Sequence, residues 1–108
     1  MPLGVLLTDD AKRDLEDICS YIAEHDSIIH AERVADRILN LAKALAEFPE
    51  RGSRPRELVA LGLMQFRQVI HHPWRVIYGL ERNNIIIHLI ADGRRNMSSL
   101  LTQRLLDA

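Results

Sequence analysis

In the first half of the chain, hydrophobic positions recur every three or four residues, which is the spacing of one face of an α-helix. The first such stripe consists of Ala11, Leu15, Ile18 and Ile22 and ends near His25. The second consists of Ala31, Val34, Ile38, Leu41, Leu45 and Phe48. Oxygen-bearing side chains that suit helix N-termini precede each stripe, at residues 8–10 and 26–27. Because the linker is short, we expect an antiparallel helical hairpin whose two stripes are core.

The second half of the chain changes to the pattern of β-strands. Three strands are predicted, at residues 64–71, 74–80 and 85–91, and the last is apolar on both faces and therefore the most buried. Short turns at His72-Pro73 and at Arg82-Asn83-Asn84 join them into an antiparallel meander. A further strand is predicted at residues 3–7, and a short amphipathic helix from Asn96 to the end of the chain.

Together these elements predict one domain over residues 1–108, with the order β-α-α-β-β-β-α. Phe48-Pro49 ends the second helix because proline disfavours helix before it. Residues 50–55 then form a loop, and residues 58–63 hold a helical turn before Gly62. The fold class is α+β: an N-terminal strand and an α-helical hairpin packed on an antiparallel β-meander, with a short C-terminal helix. We expect the hairpin to cover one face of the sheet and to leave the opposite face free for partners.

The composition indicates a globular protein. Of the 108 residues, 47% are hydrophobic and 27% charged. The longest apolar run, residues 85–87, is too short to span a membrane, and residues 1–7 lack the features of a secretory signal. Cys19 is the single cysteine, which excludes an internal disulfide. We therefore predict a cytoplasmic location.

The charge is distributed unequally between the two halves. Residues 1–50 carry five basic and eleven acidic residues, a balance of −6, whereas residues 51–108 carry nine arginines and four acidic residues, a balance of +5. Arginine binds carboxylate or phosphate through two parallel hydrogen bonds, which lysine cannot do. The second half is therefore predicted to bind an acidic partner, the alternative being a solvated face that pairs with the acidic half.

The candidates for chemistry are arginines rather than metal ligands or nucleophiles. The histidines do not have the spacing of metal ligands, Cys19 lies beside an apolar stripe, and the glycines are scattered, so we predict no metal, no cofactor and no catalytic residue. The residues that fall in or just after the three strands are Arg67, His71, Trp74, Arg75, Arg94 and Arg95. We expect them to converge on one surface. The alternative is that each arginine pairs with an acid of the hairpin or lies along the sheet edge.

Five segments resemble the ParE/RelE superfamily of toxins. They are Leu-Thr-x-x-Ala-x-x-Asp-Leu at residues 7–15, Phe-Pro-Glu-Arg-Gly at 48–52, Phe-Arg-Gln-Val at 66–69, Trp-Arg-Val-Ile-Tyr at 74–78 and Ile-Ala-Asp-Gly-Arg-Arg at 90–95. The resemblance covers essentially the whole chain. It implies the fold derived above and an antitoxin partner that wraps the toxin through an acidic or amphipathic segment.

The resemblance also implies a choice between two activities. RelE-type toxins cleave mRNA on the ribosome, using basic residues on the sheet and a C-terminal tyrosine or histidine for proton transfer and charge stabilisation. Arg75 and Arg95 match two of those arginines. Phe66 and Gln68, however, stand at the positions of the strand lysines, and Leu101 stands at the position of the tyrosine.

ParE-type toxins, the plasmid-stabilisation branch, lack that set and are understood to inhibit DNA gyrase by protein–protein contact. We therefore predict a non-enzymatic gyrase inhibitor that is neutralised by a cognate antitoxin. The predicted antitoxin- or target-binding residues are Arg67, His71, Trp74, Arg75, Arg94 and Arg95. The alternatives are a RelE-type endoribonuclease, which would bind nucleic acid directly and could use His71, His72 or His88, and an inactive remnant that binds only the antitoxin.

Overall fold

A computed structural model describes residues 3–106 of the chain. Its elements are β1 Gly4–Leu7, α1 Asp9–His25, α2 Ile28–Ala44, α3 Arg56–Val59, β2 Phe66–His71, β3 Trp74–Glu81, β4 Asn84–Asp92 and α4 Met97–Leu105. The predicted order of elements and the α+β class are confirmed, and α3 is the helical turn expected before Gly62. In this part of the chain no helix has the length and apolar character needed to cross a membrane.

The four strands form one sheet in the order β1-β4-β3-β2. β2, β3 and β4 pair antiparallel, as the meander requires, whereas β1 pairs parallel to β4. β4 therefore has a neighbour on each side, in agreement with its apolar sequence. Between β3 and β4 the register shifts, because Ile77 pairs with Leu89 and Tyr78 with Ile87. His88 is thus the extra residue of a β-bulge.

Side chains at the predicted positions cap the helices. The hydroxyl of Thr8 accepts the amide of Ala11 at 3.0 Å, and the hydroxyl of Ser27 accepts the amide of His30 at 3.0 Å. At the β3–β4 turn, Arg82 has φ 49° and Asn83 has φ 65°. The left-handed conformation expected for asparagine in this turn therefore extends to the arginine before it.

The helical hairpin packs on one face of the sheet. Buried residues of both helices meet the sheet residues Val69, Val76, Tyr78, Ile85, Ile87 and Ile90. The prediction that Phe48 belongs to this core was wrong, because Phe48 is 60% exposed. α2 ends at Ala44, and the following residues form tighter turns in which Leu45 donates to Ala42 and Ala46 donates to Lys43. The helical phase that would turn Phe48 towards the core is therefore lost.

The opposite face of the sheet carries a second core. It consists of Leu58, Ile77, Leu89, Ala91, Met97 and Leu101, which come from α3, β3, β4 and α4. The expectation that this face is free for partners was wrong. β3 and β4 have apolar residues on both faces, so a second layer must cover them, and α3 and α4 supply it.

Candidate binding site

The six predicted binding residues do not converge on one surface. Trp74, Arg94 and Arg95 line a single groove, and the His71 ring stacks on Trp74 with its centroid 6.2 Å away. Arg75 instead bonds to α3, on the face of the second core, while Arg67 bonds to the loop that follows Pro49. Alternation along β3 explains the position of Arg75, since Trp74 and Arg75 are neighbours and point to opposite faces. Arg67 shares the face of His71 but lies four residues earlier in β2, opposite Tyr78.

The groove lies between α1 and the end of β4, and we call it the α1–β4 groove. Its volume is about 450 Å³, and its polar and aromatic lining is formed by Asp14, Asp17, Tyr21, Trp74, Asp92, Arg94 and Arg95. Tyr21 is 64% exposed and stacks on His25 at a centroid distance of 4.1 Å. Sequence reasoning missed this contribution of α1, because Tyr21 lies outside the apolar stripe and nothing in the spacing places it beside β4.

Two arginines with different surroundings border the α1–β4 groove. Arg94 donates to both carboxylate oxygens of Asp92, with Nε 3.0 Å from Oδ1 and Nη2 2.6 Å from Oδ2. The Arg94 side-chain hydrogen bond lowers the pKa of Asp92 to about 2, so this carboxylate stays ionised. Arg95 is exposed, and within residues 3–106 no acidic side chain forms an ion pair with it. The border therefore offers one paired and one available guanidinium.

Arg75 is held inside the protein by three hydrogen bonds. Its Nη1 and Nη2 donate to the two carboxylate oxygens of Glu57 at 2.9 and 2.8 Å, and its Nε donates to Gln68 at 2.7 Å. The Arg75 side chain is 13% exposed, and its hydrogen bonds lower the pKa of Glu57 to about 2. A Cβ at Gly93 would lie 2.9 Å from Cδ of Arg75, so glycine is needed where the chain turns towards Arg94. Arg75 therefore joins α3 to the sheet beneath the groove.

Arg67 and Tyr78 together fix the loop after α2. Arg67 Nη1 donates to the Gly52 carbonyl at 2.7 Å, while the Tyr78 hydroxyl donates to the Pro49 carbonyl at 2.7 Å and accepts the Gly52 amide at 3.0 Å. Burial raises the pKa of Tyr78, which keeps the hydroxyl protonated as a donor. Gly52 has no room for a side chain, since a Cβ would lie 2.7 Å from the Tyr78 oxygen.

A further arginine, Arg104, was not predicted from the sequence. It bonds to the edge of β4 beyond the end of β1. Arg104 donates to both oxygens of Asp14 at 2.9 Å and to the His88 carbonyl at 2.8 Å. Asp14 also accepts the amide of Ile90 at 3.0 Å. The hydrogen bond to Asp14 raises the pKa of Arg104. This pair therefore satisfies the backbone beside the bulge and joins α1, β4 and α4.

The remaining candidates for chemistry lack the surroundings that would activate them. Burial lowers the pKa of His88 and raises that of the Cys19 thiol, the opposite of an activated thiolate. Leu101 is 1% exposed and belongs to the second core. Residues 3–106 contain no cluster of three His, Cys, Asp or Glu side chains that could hold a metal ion. What the site offers is an aromatic ring beside one available guanidinium, that of Arg95, in a groove whose lining also carries three carboxylates.

The fold is that of a small α+β protein whose sheet carries a core on each face, and comparison with known proteins identifies its class. Residues 5–97 match the family model described as "ParE toxin of type II toxin-antitoxin system, parDE". The chain is 29% identical over 100 residues to Toxin ParE3 of Caulobacter vibrioides, covering 93% of this chain and 96% of that protein. The chain belongs to the ParE toxin family and is the toxin of a type II toxin–antitoxin system.

Solved structures share its fold. The chromosomal ParDE toxin–antitoxin system from P. aeruginosa has a chain that superposes with a TM-score of 0.70 and 16% identity, covering 83% of this chain and 95% of that one. A chain of the toxin–antitoxin complex RelBE2 from Mycobacterium tuberculosis gives a TM-score of 0.62 and 19% identity, covering 85% and 92%. At these identities the similarity shows only a shared fold, which is common to the ParDE system and the RelBE2 complex.

Proposed function

We propose that this toxin inhibits DNA gyrase by protein–protein contact and that a cognate antitoxin neutralises it. The observation that carries the proposal is the bonding of Arg75. A nuclease needs a strand arginine whose donors can reach a phosphate, but the donors of Arg75 are directed at Glu57 and Gln68. Membership of the ParE family supports the same target.

The surroundings of Leu101 add to this argument. At the position where RelE-type toxins carry a proton-transferring tyrosine, the chain has a leucine that is 1% exposed in the second core. A tyrosine substituted there would be enclosed by apolar side chains rather than directed at a substrate. His88 is half-buried, and burial disfavours its protonated form. The geometry thus favours binding over acid–base catalysis.

We propose that the contact residues are His71, Trp74, Arg94 and Arg95. Trp74 is half-buried against the hairpin core, so its ring is held in place while one part remains at the surface. Arg95 has an available guanidinium at the same border. Arg67 and Arg75 are not contact residues in this proposal, because Arg67 fixes the loop after Pro49 and Arg75 joins α3 to the sheet.

Neutralisation follows from the same chemistry. An acidic antitoxin segment that pairs with Arg95 and packs on Trp74 would cover the surface that we assign to the target. Both partners would meet the toxin in the cytoplasm, where gyrase acts. The antitoxin and the gyrase surface therefore compete for the α1–β4 groove.

The proposal is tested with purified toxin, gyrase and supercoiled plasmid, and in parallel with translating ribosomes. We expect gyrase–DNA cleavage complexes to accumulate and mRNA on ribosomes to remain intact. Arg95→Glu should weaken inhibition by about tenfold, the loss of roughly one well-placed charge contact. The matched control is Arg82→Glu, which reverses an exposed arginine at the tip of the β3–β4 turn and should inhibit like the wild type.

Two results would contradict the proposal. Ribosome-dependent mRNA cleavage with unaffected gyrase would identify the RelE-type activity instead. Tight antitoxin binding without an effect on either target would identify a remnant that keeps only its antitoxin surface.

A further inference from the structure

The outer edge of β2 carries a second arginine-bearing surface, outside the α1–β4 groove. Arg51, Arg54 and Arg56 are exposed in the segment that runs along this edge. Within residues 3–106 no acidic side chain forms an ion pair with any of the three. The neighbouring Glu57 is already bonded to Arg75. These three guanidinium groups are therefore available to an acidic partner, while the exposed Glu50, next to Arg51 in the chain, offsets part of the local positive charge.

The segment that carries these arginines is rigidly attached to the sheet. The amide of Ser53 donates to the Gln68 carbonyl at 3.1 Å, and the amide of Gln68 donates to the Ser53 carbonyl at 2.7 Å. Gly52 is held on both sides, by Tyr78 and by Arg67, and Pro55 is buried. Because the backbone is fixed, little ordering of the loop would oppose binding.

The edge of β2 remains open at Ile70. Gln68 directs both its amide and its carbonyl outwards to Ser53, so Ile70, two residues further along, must also direct its backbone groups outwards. Among the described residues, neither backbone group of Ile70 has an outward partner, and the side chain is 53% exposed. Exposed edge strands usually carry a charge, a proline or a bulge that prevents pairing, and Ile70 has none of these.

We propose that this edge binds an extended peptide segment in which acidic residues alternate with apolar ones. The peptide backbone pairs with the amide and carbonyl of Ile70, and its carboxylates bind Arg51 and Arg56, two exposed arginines of the adjacent segment. Its apolar side chains cover Ile70. A nucleic-acid backbone would satisfy the arginines but would leave Ile70 uncovered and its backbone groups unpaired, so the surface fits a peptide better. The proposal does not depend on gyrase being the target.

The test uses a synthetic peptide of roughly seven residues, an ordinary strand length, that alternates glutamate with valine. Binding to the full-length toxin is measured by NMR titration, and the Ile70 amide should shift and exchange more slowly with solvent. Of two peptides N-methylated on alternate amides, only the one blocked on the side that faces β2 should lose binding. Arg51→Glu/Arg56→Glu should weaken binding by about tenfold. Arg33→Glu/Arg37→Glu, which reverses two exposed arginines of α2, is the control with the same net charge and should bind like the wild type.

Several outcomes would overturn the proposal. Equal binding by the two methylated peptides would show that no edge pairing occurs. Protection of Val5 and Leu7, on the other edge of the sheet, in place of Ile70 would place the peptide on β1. A DNA duplex that binds the toxin more tightly than the peptide, and that the Arg51→Glu/Arg56→Glu variant no longer binds, would show that the surface recognises nucleic acid.

Discussion

The arginines of the second half of the chain fall into two groups with opposite surroundings. Arg67, Arg75 and Arg104 are partly buried and donate to carboxylates or carbonyls of the protein itself. The exposed set consists of Arg51, Arg54, Arg56, Arg82, Arg94 and Arg95. The positive charge of the second half therefore belongs to two populations. The first holds the fold together, and only the second, apart from Arg94 with its partner Asp92, is available for partners. The charge balance alone therefore overstates the binding surface.

The strongest test of this contrast removes Arg75. We expect Arg75→Ala to lower the free energy of unfolding by about 3 kcal/mol, because it leaves the Glu57 carboxylate without its partner in a mostly buried setting. Urea denaturation followed by circular dichroism measures the change. A loss below about 0.5 kcal/mol, typical of a surface position, would mean that Arg75 is not a structural arginine.

The second effect concerns the pair that closes the edge of β4. Asp14→Ala should cost about 2 kcal/mol, since it removes the partner of Arg104 and the acceptor of the Ile90 amide together. Hydrogen exchange should show faster exchange at Ile90 and in α4 than in α2. A double-mutant cycle with Arg104→Met measures the coupling, and purely additive effects would refute the pairing.

Acid should lower the free energy of unfolding over a pH range that the Glu57–Arg75 pair predicts. The pKa of Glu57 falls from 4.5 to about 2 in the folded state, so its contribution is fully present above about pH 4.5 and is lost as the pH falls towards 2. After allowance for partial exposure, we expect this group to contribute about 1–2 kcal/mol to the pH dependence. Between pH 6 and pH 2, the free energy of unfolding should fall less steeply with decreasing pH in Glu57→Gln than in the wild type. Identical slopes in the two proteins would show that the carboxylate does not gain from Arg75.

The smallest effect on stability is expected for Arg95, at the border of the α1–β4 groove. Arg95→Glu should change the free energy of unfolding by less than about 0.5 kcal/mol, because the side chain is exposed and has no acidic partner among the described residues. Thermal denaturation measures this beside Arg75→Ala. If Arg95→Glu were as destabilising as Arg75→Ala, the two populations of arginine would not be distinct.

Local patterns were sufficient to predict most of the fold. The helical stripes, the caps at Thr8 and Ser27 and the tight turns act over a few residues, so they can be read directly from the sequence. The second core could not be predicted in this way. It depends on α3 and α4 returning to the same face of the sheet, and the short apolar runs in those segments do not indicate which face they cover.

The candidate site was predicted only in part, for a related reason. The border residues Trp74, Arg94 and Arg95 were found because Trp74 begins β3 and the two arginines come shortly after β4. The pairing of Arg104 with Asp14 joins residues 90 positions apart, and that of Arg75 with Glu57 joins residues 18 apart, neither at a regular spacing. Nothing in the sequence therefore distinguishes a structural arginine from one that is available to partners.

The central claim is that Arg75 supports the toxin rather than acting on a substrate, and one double variant tests it most directly. Arg75→Met/Glu57→Leu removes both charges, and replacing a buried ion pair by apolar residues of similar volume is often neutral for stability. The measurement is growth inhibition by this variant, with folding checked by circular dichroism. We predict that toxicity stays at the wild-type level. A folded double variant that no longer inhibits growth would contradict the account, because Arg75 would then act on the target itself.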